Sequence, residues 1–173
     1  KNQMSPEDIE VLIIKHHYIW LRDIGPIWLK SGNELKIVQS CFNEWGGEHL
    51  SNPLPQTLGN LLNIPVEKTF YTGEGGGKSF NGKGSVIVCE EVERQRNPNL
   101  SLKEIENILK ETYNFKHIIW IKKGLANDMQ TFSSLLPGEV YSTGAGGHVD
   151  ECCRFVNART ILLVQVTEEQ AAK

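Results

Sequence analysis

Positive charge is not in surplus in this chain: 18 Lys and Arg stand against 21 Asp and Glu, a net charge of −3. Without a basic excess there is little to neutralise a phosphate backbone or an anionic bilayer, which argues against nucleic acid and membrane as partners. Long hydrophobic runs are missing too. The apolar stretch at residues 11–14 is cut by Lys15, His16 and His17, far short of the roughly 18 residues a spanning helix needs, and it has no signal-peptide form. Cysteine is scarce, four in 173 residues with Cys152 and Cys153 adjacent, so no disulfide framework is expected and a reducing, cytoplasmic setting is. No Cys-x-x-Cys or His-x3-His spacing occurs, which removes the usual closed zinc site. What remains, 39% apolar residues and 16 glycines, is ordinary globular composition with enough apolar surface for a core.

Turn and strand signals repeat along the chain. After Asp23, Gly25 and Pro26, residues 27–30, a Ser31-Gly32-Asn33 turn and residues 35–40 form a hairpin pattern, followed by a helical segment at 56–63 and a strand at 66–70. The order returns after Glu74: residues 78–80, the turn Asn81-Gly82-Lys83-Gly84, a strand at 85–90, a helix opened by Ser101 with Glu104 at the reciprocal capping position, and a strand at 117–121. A third unit begins after His148 and Asp150 with strands at 149–156 and 161–166. It then opens a helix at Thr167 that ends one turn later. Module 1 is therefore expected at about 9–72, module 2 at about 73–122, a long loop at about 122–145 and an incomplete module 3 at about 146–173. A final helix of one turn has not recovered its nucleation cost, and the first residue is Lys1, so the chain reads as part of a longer protein. Cut from a closed arrangement, it is expected to expose strand edges and apolar faces and to associate.

The repeat matters for where it puts the acids. Asp23, Glu74 and Asp150 each precede the first strand of their unit, and each has glycines close by. Units arranged around a pseudo-symmetry axis bring equivalent positions together at one end, so three carboxylates beside His148 form an anionic pocket suited to a cation.

Other readings are weaker. Gly73 to Gly77 before Lys78-Ser79 suggests a phosphate loop, but the spacing is one residue short and a turn and strand follow where a helix is required. His148 and Asp150 on one face of a strand could be two metal ligands, with nothing to complete the set. Cys41 and Cys89 fall in or at the end of strand patterns, and no base stands beside Cys152 or Cys153, so none of the four reads as a nucleophile. Trp20, Trp28, Trp45 and Trp120 are core residues by default, with Trp20 and Trp45 the two placed to reach a pocket wall. Singly, Asp23 is as well explained as a turn cap and Glu74 as a solvated loop acid; the functional case rests on their joint placement.

These residues have a recognisable order. Trp20-Leu21-Arg22-Asp23-Ile24-Gly25-Pro26, Phe42-Asn43-Glu44-Trp45-Gly46-Gly47, Glu74-Gly75-Gly76, Arg96-Asn97-Pro98 and Gly147-His148-Val149-Asp150 resemble the agmatine deiminase family and its bacterial peptidylarginine-deiminase-type relatives over nearly the whole chain. The resemblance implies an α/β pentein fold, a propeller of five ββαβ modules of which about three are present. It implies hydrolysis of a guanidine, agmatine first and peptidyl-arginine or free arginine as alternatives, to a ureido product and ammonia, without metal or organic cofactor. It also implies a role in putrescine and polyamine formation, and leaves homo-oligomerisation open. By position, Asp23 and Asp150 would grip the guanidinium with Trp20 on the substrate side. Glu74 would sit beside substrate and His148, and His148 would be the general acid and base.

Two departures stand out. The family's nucleophilic cysteine belongs to a later module and nothing in these residues matches it, so this chain by itself is expected to be inactive. The loop at 122–145, with Asn127-Asp128, Pro137-Gly138 and Tyr141, is long enough to be a substrate lid or an interface element. A non-catalytic guanidine-binding or scaffold protein, or a purely structural oligomerisation module, is the alternative from another class.

Overall fold

The structure, a computed structural model, describes residues 5–16, 18–48, 51–129 and 144–171. Residues 130–143 of the expected loop at about 122–145, the lid or interface candidate, lie outside the described residues.

Three small sheets follow one another along the chain, and the first two are built alike. Gly25 and Pro26 stop the one-turn helix α1 (Leu21–Ile24), since proline cannot continue a helix. The hairpin β1 (Ile27–Ser31) and β2 (Glu34–Cys41) then runs antiparallel through a turn with Gly32 at φ 58°. Helix α2 (Leu54–Leu62) ends on Asn63 in the left-handed region and returns the chain to β3 (Val66–Thr72), parallel to β2. The second sheet repeats this: β4 (Lys78–Phe80) antiparallel to β5 (Ser85–Cys89), two helices, and β6 (His117–Ile121) parallel to β5.

The first of those helices, α3 (Glu90–Arg96), was not expected; the strand pattern read through to Glu90, but the backbone turns helical there. Its acids at Glu90, Glu91 and Glu93 and its bases at Arg94 and Arg96 suit the helix macrodipole. The next, α4 (Leu102–Tyr113), carries the expected capping box. Glu104 N donates to Ser101 Oγ at 3.3 Å and Ser101 N donates to Glu104 Oε2 at 2.7 Å.

A one-turn helix α5 (Ala126–Met129) precedes the third unit, and here the sequence expectation needs correction. Residues 149–156 are not one strand: Val149–Glu151 is a 3-10 turn and only β7 (Cys153–Phe155) pairs with β8 (Ile161–Leu163). His148 and Asp150 are thus placed by a tight turn, not by strand alternation. A final one-turn helix α6 (Glu168–Ala171) closes the described chain.

Strand β5 sits at the centre with both faces buried. Val86 and Val88 join Ile27, Val38, Tyr71, Ile105 and Leu109 in one core, while Ile87 and Cys89 join Val92, Val149 and Cys153 in another, as the two-residue side-chain period of a strand dictates. β8 is the opposite case, with Leu162 67% and Leu163 64% exposed. Trp20 and Trp28 are also exposed, not core, at 57% and 42%; Trp20 precedes α1 and Trp28 lies on β1, whose only strand neighbour among the described residues is β2. Among the described residues no helix is long and apolar enough to cross a membrane.

Candidate functional site

The glycine-rich turn between β3 and β4 carries the site. The Gly76 N–H donates to Asp23 Oδ1 at 2.9 Å, and its carbonyl accepts from Asp150 N at 3.2 Å, so one backbone residue links acids that are 127 positions apart in sequence. A Cβ on Gly76 would stand 2.6 Å from Asp23 Oδ1, 2.6 Å from His148 Nδ1 and 3.1 Å from Asp150 Oδ1. Only glycine lets the three side chains meet over this turn.

His148 lies among the carboxylates, its Nδ1 3.6 Å from Asp23 Oδ1 and its Nε2 3.4 Å from Glu74 Oε2. Glu74 Oε2 and His148 Nε2 are both buried and neither makes a hydrogen bond among the described residues. Such a pair of facing, unsatisfied polar atoms is costly in a core that has no use for it. The structure therefore brings Asp23, Glu74, His148 and Asp150 together. Trp20 does not join them: it stands exposed at the head of α1.

Trp45, the other tryptophan placed to reach a pocket wall, touches the site. Its indole donates to Asp23 Oδ2 at 3.0 Å, and the turn that aims it holds Glu44 and Trp45 at φ 48° and 59°. Left-handed backbone in a bulky residue is unfavourable and persists where the surroundings impose it. Here Asn43 Oδ1 accepts from Gly46 N at 3.1 Å, and the Trp45 ring packs edge-on against Tyr18 and Phe42.

Two further groups escaped the sequence reading. Arg96, at the end of α3 and 3% exposed, donates from Nε to Glu74 Oε1 at 2.8 Å and from Nη2 to the Ala145 carbonyl at 2.6 Å. Asp128, on α5, accepts from Ala145 N at 2.7 Å, from His148 N at 3.1 Å and from Gly147 N. Both lie in segments quoted above, the Arg96-Asn97-Pro98 run and the 122–145 loop, but their partners are remote in sequence.

The electrostatics differ across the cluster. Burial pushes the Glu74 carboxyl up, but His148 and the Arg96 guanidinium outweigh burial and hold it at about 2. Asp150 goes the other way: burial, followed by the like charge of Asp23, lifts it above its ordinary value against the pull of His148, Arg22 and Arg154. Arg22 Nε and Arg154 Nη1 lie 3.6 and 3.9 Å from Asp150 Oδ2 and are 43% and 49% exposed. Burial and then Asp128 push the neighbouring Glu151 up to about 7. Burial also raises the thiols of Cys89, Cys152 and Cys153, the reverse of what a nucleophilic thiol needs.

Similar proteins carry the same theme. A family model described as Porphyromonas-type peptidyl-arginine deiminase matches residues 1–173. The agmatine deiminase of Ectopseudomonas mendocina is 30% identical over 179 residues, covering 96% of this chain and 45% of that protein. That of Medicago truncatula is 28% identical over 182 residues, covering 94% and 45%. A solved cysteine-to-serine variant of C. jejuni agmatine deiminase with substrate bound aligns at a TM-score of 0.74 and 26% identity, over 94% of this chain and 47% of that one. The chain spans a little under half the length of the curated relatives it matches, and its α/β architecture is part of the pentein fold of these deiminases. With the match running from its first residue to its last, the chain belongs to the Porphyromonas-type peptidyl-arginine deiminase family.

Proposed function

We propose that the protein carrying this chain hydrolyses a guanidine, with agmatine as the first candidate, to a ureido compound and ammonia, and that these residues form the half of its site that binds and moves protons. The observation that carries the reading is the Gly76 turn with Asp23 and Asp150 hydrogen-bonded to its two sides and His148 between Asp23 and Glu74. A guanidinium is a planar fork of N–H donors, which carboxylates set on two sides hold in one plane. Asp23 is already oriented by Gly76 and Trp45. Asp150, raised by burial and by Asp23, gains most from an arriving cation. Trp20 is assigned to the substrate side of the mouth.

With the plane fixed, a thiolate attacks the central carbon. The attack forms a C–S bond. His148 then protonates one nitrogen, which leaves as ammonia and gives a thiouronium. The same imidazole takes a proton from water as the water attacks; the C–S bond breaks, releasing the ureido product and regenerating the thiolate. Glu74, kept ionised by His148 and Arg96, sets a negative charge 3.4 Å from His148 Nε2. The thiol is placed outside these 173 residues, because Cys89, Cys152 and Cys153 have raised thiol values and Cys41 lies on β2 with its Sγ 3.5 Å from the Thr69 carbonyl. The bound substrate in the cysteine-to-serine relative supports a cysteine that acts after binding. A reducing cytoplasm suits a free thiolate, and agmatine would make the carbamoyl product a precursor of putrescine.

The test is expression of the complete reading frame with agmatine, measuring ureido product and ammonia. Product formation is expected; a folded protein that has the later cysteine and forms no product from agmatine, arginine or an arginyl peptide defeats the reading.

A further inference from the structure

The His148 ring is held by long contacts alone among the described residues, Nε2 3.4 Å from Glu74 Oε2 and Nδ1 3.6 Å from Asp23 Oδ1. Such contacts are made or lost with small shifts of the backbone, and that backbone is gripped from two sides. On one side the Asp128 carboxylate, 6% exposed, accepts three N–H groups within four residues. Oδ1 takes that of Ala145, and Oδ2 takes those of Gly147 and His148. On the other side Arg96 Nη2 donates to the Ala145 carbonyl. Gly146 and Gly147 at φ 78° and 104° curve the chain so that these N–H groups converge, an anion-binding concavity filled here by a side chain of the protein. Gly124 packs so closely on Gly147 that a Cβ would overlap its Cα and carbonyl.

We infer that Asp128 is a positioning residue, which sets the imidazole of His148 between Asp23 and Glu74 by holding the 145–148 backbone. The inference rests on the functional reading above for its kinetic consequence but not for its geometry. An ionised carboxylate is acceptor-only, whereas an amide offers one oxygen and one NH2 group. In Asp128→Asn, either Ala145 N–H or the Gly147 and His148 pair faces a donor and must move. Asp23 is held by Gly76 and Trp45, and Asp150 N by Gly76, so the two guanidinium-binding carboxylates stay in place.

The experiment compares Asp128→Asn and Asp128→Glu with the parent in the full-length protein, by kinetics on agmatine and by NMR of the His148 ring. The expected result is a kcat loss on the order of 10²-fold for Asp128→Asn, a smaller loss for Asp128→Glu, KM changed by less than about threefold, and displaced His148 ring resonances. Unchanged kcat with lowered thermal stability, or unmoved His148 resonances in a folded variant, overturns the inference. So does failure of both variants to fold, which makes Asp128 a folding determinant instead. If the parent turns over no guanidine while the resonances still move, the functional reading falls and the positioning stands.

Discussion

The two walls around His148 are built from the same residue types and behave oppositely. The inner wall is Glu74 with Arg96, each side chain 1% exposed and joined by a 2.8 Å hydrogen-bonded ion pair. The outer wall is Asp23 and Asp150 with Arg22, where Asp150 is 20% and Arg22 43% exposed and the ion pair is 3.6 Å long. Inside, an opposite charge overcomes burial and drives a carboxyl down to about 2; outside, partial burial and a like charge lift one. The difference separates structure from binding. A carboxylate with one oxygen taken by Arg96 and the other turned to His148 has less left to offer a ligand, while carboxylates left short of positive charge are where, on the proposed function, a guanidinium would be received.

The sharpest way to break this contrast is Arg96→Ala. Removing one partner of a buried pair leaves an uncompensated charge, at a cost of about 3–5 kcal/mol, and here the Ala145 carbonyl loses its donor as well. Urea unfolding of the full-length protein should show a loss of that size. A loss below about 1 kcal/mol, the range of an exposed pair, would mean that the inner wall is no more structural than the outer one.

Acid should find the inner wall next. The folded Glu74 carboxyl sits at about 2 against an ordinary 4.5. The unfolded chain therefore takes up the proton first as pH falls, and the stabilisation from Glu74 is complete above about 4.5 and lost on the way down to about 2. Glu74→Gln should be less stable at neutral pH yet lose less stability across that window. Urea midpoints at several pH values, parent against variant, check this, and parallel curves would show that the pair has no linkage to folding.

Much of this architecture is legible in the residues. The Gly32 and Asn81-Gly82 turns mark the hairpins, Ser101 and Glu104 mark α4, and the acids stand out because each precedes a first strand. Helix α3 was obscured because β5 runs straight into it with Cys89 at the cap and no side-chain cap bond; only its acid-first, base-last order betrays it. The 3-10 turn at Val149–Glu151 reads as strand because it runs directly into the apolar-rich Cys152, Cys153, Phe155 and Val156. Arg96 and Asp128 could not be read at all as site residues. Arg96 meets Glu74 across 22 positions and Asp128 meets His148 across 20, and such contacts exist only once the sheets have packed.

The smallest expected effect comes from the outer wall and is the most discriminating. Asp150 is raised in the folded state by burial and by Asp23, so its ionisation opposes folding. The penalty is absent at pH below the ordinary carboxylate value and grows as pH rises through the raised folded value. Asp150→Asn removes that charge and keeps the shape, and the Asp150 N–H bond to Gly76 is a backbone contact that the substitution spares. Stability at neutral pH should therefore stay within about 0.5 kcal/mol of the parent or rise slightly, while the thermal shift produced by agmatine disappears. Urea unfolding and ligand-dependent melting of the same two proteins decide it. A variant that loses more than about 1 kcal/mol and still responds to agmatine would make Asp150 a structural residue and erase the distinction between the walls.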